Sequence, residues 1–144
     1  MDVSVLRKRI LRALDEARQG ASDRRTVVDE AAKAYELFLE NIAVPLMRQA
    51  VTVLGAAAQP FVLHTPAGSV RLSAEKAPQT FLEFELDRER PTPEVIGRVS
   101  LARGRQGVVV EERPVAAGKA IADLNEDDVS AFLVSEIPKL VVKT

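Results

Sequence analysis

At 144 residues, with 47% hydrophobic and 28% charged residues, the chain is long enough for one real core and too short for two, which excludes a disordered tail. Twenty basic residues against 21 acidic ones leave a formal net charge of −1, so no global field draws the protein to nucleic acid or an anionic membrane. The absence of cysteine excludes disulfides, thiolate nucleophiles and thiolate metal sites, and an aromatic content of 4% leaves core formation to Val, Leu, Ile and Ala.

The pattern changes at Gln59-Pro60. Before it, apolar residues recur every three or four positions from Val3 to Leu54; after it, they alternate from Phe61 to Val110. We therefore expect one domain over 1–144, with a helical hairpin in 1–58 and an antiparallel sheet plus a C-terminal helix in 59–144. The segment Met1-Asp2-Val3-Ser4-Val5 lacks the apolar core of a signal peptide, because Arg7, Lys8 and Arg9 interrupt it. No uninterrupted apolar run approaches the roughly 18 residues of a membrane span, so the expectation is a cytoplasmic protein without membrane contact.

Val3, Leu6, Ile10, Ala13 and Ala17 follow 3-4 spacing and predict a first helix, which Gly20 ends and after which Ser22 or Asp23 caps a second. The second helix, from about residue 24 to about residue 57, would be roughly 50 Å long, with Pro45 kinking it near Asn41. Two readings of this hairpin stand. It covers its own domain, or it overhangs and pairs with another copy, in which case Val28, Tyr35 and Leu39 are the candidate oligomer interface.

In the second half, Thr65-Pro66-Ala67-Gly68-Ser69 predicts a three-residue hairpin loop pairing Phe61–Thr65 with Ser69–Ser73. Over Thr80–Arg88, Leu82, Phe84 and Leu86 point one way and Glu83, Glu85 and Asp87 the other. Arg103-Gly104-Arg105-Gln106 reads as a two-residue type II′ turn, which sets Leu101 opposite Val108, Val99 opposite Val110 and Arg98 opposite Glu111. The matching register across the loop with Pro91 and Pro93 sets Phe84 opposite Val99 and Glu85 opposite Arg98. A dry face of Leu82, Phe84, Val99, Leu101, Val108 and Val110 follows, with a Glu85–Arg98–Glu111 charge ladder behind it. Asn125 caps a last helix, with Leu124 and Val129 in staple positions, an apolar stripe of Val129, Phe132, Leu133 and Ile137, and Pro138 limiting it.

Val95-Ile96-Gly97-Arg98-Val99-Ser100, Gly104-Arg105, Glu112-Arg113-Pro114 and Asp123-Leu124-Asn125-Glu126-Asp127-Asp128-Val129-Ser130-Ala131-Phe132-Leu133 together resemble a set of small uncharacterised bacterial α+β proteins. The stretch Phe61–Leu72 is similar to the same set, so the likeness covers most of the strand half. It implies no activity.

Little in the chain points to chemistry. His64 is the sole histidine, and the expected hairpin register puts it on one face with Val62, Val70 and Leu72, as a partly buried structural residue. Ser69, Ser100 and Ser130 lack a nucleophile-elbow context. Gly118-Lys119 is followed by Ala120, which departs from a phosphate-binding loop, and Gly104–Gly107 lacks the dinucleotide fingerprint. Glu83, Glu85 and Asp87 are too far apart along a strand for one small cation, so no metal and no cofactor is expected. What remains is an arginine group: Arg98, Arg103 and Arg105 on or beside one hairpin are candidate anion-binding residues, with Arg88 and Arg90 in the preceding loop. No aromatic side chain interleaves with them to stack bases.

The expected architecture is α+β: a long N-terminal helical hairpin, a four- or five-stranded antiparallel meander, and a C-terminal helix packed on one sheet face. The expected role is a non-enzymatic interaction or assembly protein, as a homo-oligomer or with a protein partner. The alternative is nucleic-acid or anionic-ligand binding through the arginine-bearing hairpin around Gly104.

Overall fold

The computed structural model describes residues 2–102 and 107–141. One uninterrupted helix runs from Val3 to Ala56, made of α1 (Val3–Phe38), a π-helical turn (Leu39–Ala43) and α2 (Val44–Ala56). Five antiparallel strands follow in simple meander order: β1 (Phe61–His64), β2 (Ser69–Ala74), β3 (Phe81–Asp87), β4 (Glu94–Ala102) and β5 (Val108–Pro114). A 3-10 turn (Ile121–Asp123) leads into α3 (Glu126–Val141). The α+β class, the antiparallel sheet and the C-terminal helix match the expectation from sequence.

The expected helical hairpin does not form, because the helix passes straight through Gly20. A helical glycine costs only about 1 kcal/mol relative to alanine, which cooperative propagation between good helix formers overcomes. Side chains bridge the point: Gln19 Nε2 donates to Asp23 Oδ1 at 2.9 Å, and Thr26 Oγ1 to the Ser22 carbonyl at 3.2 Å. Asp2, not Ser22 or Asp23, caps the helix, with its carboxylate accepting from the Ser4 amide. Where Pro45 is expected to kink the helix near Asn41, a π turn at Leu39–Ala43 precedes the proline and the helix continues into α2.

The C-terminal half of the long helix and α3 lie on one sheet face. Tyr35, Phe38, Ala43, Met47 and Leu54 meet Val70, Leu72, Leu82, Phe84, Val99 and Leu101 from the sheet, with Val129, Phe132 and Leu133 from α3. The rings of Phe38, Phe84 and Phe132 form a chain, Phe84 to Phe132 being edge-on at 5.4 Å between centroids. Gly97 lies under the Phe132 ring, where a side chain has no room. Asn125 and Asp128 make the reciprocal capping box that starts α3, each side chain accepting from the other's amide at 3.0 Å. Contrary to expectation, Pro138 does not limit α3, which continues to Val141 and packs Leu140 and Val141 against the core.

Three registers differ from those expected. The β1–β2 pairing is shifted by one, His64 facing Arg71 and Leu63 facing Leu72, around a four-residue loop whose Gly68 has φ 78°. His64 is thus exposed on the polar face, not partly buried among Val62, Val70 and Leu72. Between β3 and β4 the shift is two residues, Leu82 facing Val99 and Glu83 facing Arg98, which preserves the faces. Between β4 and β5 it is one residue, Leu101 facing Val109 and Arg98 facing Glu112. Val108 and Val110 therefore leave the dry face and are exposed. Gly107, at φ 82°, bends the chain just before β5, and the shifted register satisfies both flanking charges: Glu112 reaches Arg98, while Arg113 turns toward α3 and binds Glu136 at 2.8 Å.

Candidate functional site

The sheet face away from the helices carries an ion-pair cluster. Glu83, 3% exposed, accepts from Arg71 Nε at 2.6 Å and from Arg98 Nη1 at 3.3 Å. Arg98 also binds Glu85 at 3.1 Å and, through Nε, Glu112 at 2.7 Å. The hydrogen bond to Glu112 is the largest influence raising the Arg98 pKa, followed by the opposing cost of desolvation and then by the attraction of Glu85. Arg71 stacks on Phe81 at 4.0 Å. Three carboxylates thus surround Arg98 and repel an incoming anion, which removes the reason to read it as an anion site. Arg103 and Arg105, with Gly104, lie outside the described residues. Arg90 pairs with Asp87 at 3.0 Å and Glu94 at 3.5 Å.

No catalytic constellation assembles among the described residues. His64 sits beside Arg71 at the sheet edge, the Ser100 hydroxyl is buried and donates to the Gln79 carbonyl at 2.7 Å, and no group of three or more His, Asp or Glu side chains is placed to hold a metal. Glu136, buried beneath Arg113 and Lys139, is an ion pair of the fold. Burial raises its pKa, but hydrogen bonds from Lys139 and Arg113 outweigh this and hold it below the ordinary glutamate value.

The long helix presents a different kind of surface. Its residue nearest the N-terminus that is tied to the sheet is Arg24, whose guanidinium donates to the carbonyls of Pro91 (2.7 Å), Arg90 (2.6 Å) and Arg88, clamping the β3–β4 loop. From Val3 to Asp23 the side chains of α1 are exposed all around the helix. This arm bears large apolar residues: Val3 is 79% exposed, Leu6 48% and Ile10 50%, with Leu11 and Leu14 alongside. Leu6 stands five helical turns from Arg24 and so points the same way. The face that packs on the domain therefore continues as an apolar stripe beyond it.

The residues expected at an oligomer interface fall elsewhere. Tyr35 is in the domain's own core, its hydroxyl donating to the Gly68 carbonyl at 2.7 Å and lying 3.3 Å from that of Phe84. Burial is the main reason its phenol titrates well above the usual value. Leu39 packs against the same core and Val28 is half-buried. The uncovered stripe lies N-terminal to them, on residues that sequence reasoning had paired inside a hairpin. Arg24 was missed altogether; an arginine at a stripe position was the available signal.

By length and composition Val3–Ala56 is the one helix among the described residues that could cross a membrane, with an 18-residue window of mean hydropathy 1.3. Of that window 22% is buried inside the domain, Met47 and Leu54 among the buried residues, while Val53 on the same helix is exposed. No protein-family model matches the chain, and no curated protein or solved structure is detectably similar to it.

Proposed function

We propose that the protein is a non-enzymatic interaction or assembly protein, which engages a protein partner in the cytoplasm through the apolar stripe of the α1 arm. The observation that carries this reading is the position of Val3, Leu6 and Ile10 on a helix that has left its own domain. Propagation from the packed part of the helix carries the arm, but most helical stability in proteins comes from packing an amphipathic face, and this face packs on nothing in its own domain. A contiguous apolar stripe is also uncommon on a monomer. A partner helix laid on the stripe answers both.

Anion or nucleic-acid binding by the hairpin around Gly104 ranks lower, because Arg98 is spent on Glu83, Glu85 and Glu112. The two readings separate in a pull-down from host extract, with and without nuclease, using the parent and Leu6→Glu/Ile10→Glu, alongside light scattering of each purified protein. Association that survives nuclease and is lost in the double variant supports the arm. Nuclease-sensitive capture retained by the variant supports the hairpin, and a parent that neither self-associates nor captures a protein contradicts the proposal.

A further inference from the structure

Resting on the arm as the interaction surface, we infer that its occupant is a second copy of the same arm, laid antiparallel over Val3–Gly20. The stripe reads Val3, Leu6, Ile10, Ala13, Ala17, Gly20 in alternating steps of three and four, large in its first half and small in its second. In an antiparallel helix pair each core layer joins a residue from one half of the stripe with one from the other half of the partner. Here one alignment joins Val3 with Gly20, Leu6 with Ala17 and Ile10 with Ala13. Every layer then sets a large side chain against a small one, the arrangement that lets two helices interdigitate without voids. A parallel pair would instead stack Ala13, Ala17 and Gly20 on their own copies and leave those three layers underfilled.

The flanks agree with this alignment. Arg9 and Glu16 border the stripe on one side and meet across the two-fold axis as two opposite-charge pairs. Arg7 and Leu14 border it on the other side, where the arginine stem covers the leucine. Arm length fits as well. The partner's Val3 lies over Gly20, which has nothing within 4 Å, and the pairing stops just short of Arg24, where the clamped β3–β4 loop begins. The two domains thus sit at opposite ends of a shared two-helix bridge.

Because the chain has no cysteine, single thiols at Leu6→Cys and Ala17→Cys report the alignment. An oxidised equimolar mixture of the two variants should give a disulfide-linked dimer. Neither variant alone should, since its two thiols would lie about 11 residues, or roughly 16 Å, apart along the axis, beyond a disulfide's reach. Self-cross-linking of each variant with no excess in the mixture would overturn the antiparallel pairing, as would a dimer in light scattering that cross-links in no combination. Arg9→Glu should weaken dimerisation several-fold, and Arg9→Glu/Glu16→Arg should restore it; failure of the swap to restore counts against the alignment. A parent that is monomeric at several hundred micromolar overturns self-pairing itself. Capture of a host protein that depends on Leu6 and Ile10 would in that case leave the arm reading standing with a different occupant, and its absence would remove both.

Discussion

Substituting Gly97 by alanine tests the packing between sheet and α3 at its tightest point. The added Cβ would stand 2.1 Å from Phe132 Cζ and 2.6 and 2.7 Å from the two Cε atoms. Carbon atoms rest at about 3.5–4.0 Å, so the ring must retreat by roughly 1.5 Å. It has nowhere to go within its site: Phe132 is 1% exposed, Phe84 meets it edge-on, and Arg113 Cζ lies 4.3 Å from its centroid. The ring can move only with α3, and overpacking of this kind costs about 1–3 kcal/mol. For a domain of this size that lowers Tm by roughly 3–10 °C, read by calorimetry or by circular dichroism. Removing the obstructing ring tip should relieve the clash, so Gly97→Ala/Phe132→Leu should lose less than the sum of the two single changes, with a coupling of about 1 kcal/mol. Gly97→Ala melting within about 1 °C of the parent, or strict additivity in the double variant, would refute the argument.

Tyr35→Phe leaves the Gly68 carbonyl without its donor and should cost about 1–2 kcal/mol in a urea melt, with the fold retained. Glu136 has a folded pKa below the ordinary 4.5, so its contribution is complete above that value and is lost as pH falls through the folded pKa. Stability measured from pH 6 down to pH 3 should therefore fall less steeply in Glu136→Gln than in the parent, although the variant is less stable at neutral pH. Asp128→Ala removes the return half of the capping box and the Lys119 contact at 2.6 Å, and should lower stability by about 1 kcal/mol. Leu6→Glu/Ile10→Glu should abolish association, and at protein concentrations too low for the parent to associate it should leave the melting of the sheet domain unchanged, since neither side chain touches the core.

The parts of the fold legible in the sequence were those set by local chemistry. Alternation in Leu82–Leu86 gave the faces of β3, Asn125 gave the start of α3, and Pro45 marked the irregular turn of the long helix. Tertiary partners decided the rest. Gly20 looks like a helix end when the chain is read locally, yet no element packs there to reward a reversal, and the helix runs on. At β1–β2 the turn was legible from Pro66 and Gly68, but its loop is one residue longer than expected and the register slips by one; at β4–β5 the slip goes with Arg113 reaching Glu136 across the fold, which a local pattern does not encode. At the candidate surface, the stripe from Val3 to Ala17 was visible as periodicity. That it would stand outside the domain was not, because the length of helix the sheet covers depends on the Arg24 clamp and the Tyr35 hydrogen bond.

Hydrogen exchange of the arm amides, from Val5 to Gly20, followed as a function of protein concentration, tests the association surface most directly. A bare helix exposed on every side opens readily, whereas one packed on a partner is protected in proportion to the bound population. The account predicts protection that rises with concentration in the parent and is absent in Leu6→Glu/Ile10→Glu, while the sheet amides exchange alike in both. Rapid, concentration-independent exchange along the arm up to about millimolar protein, identical in parent and variant, would contradict it.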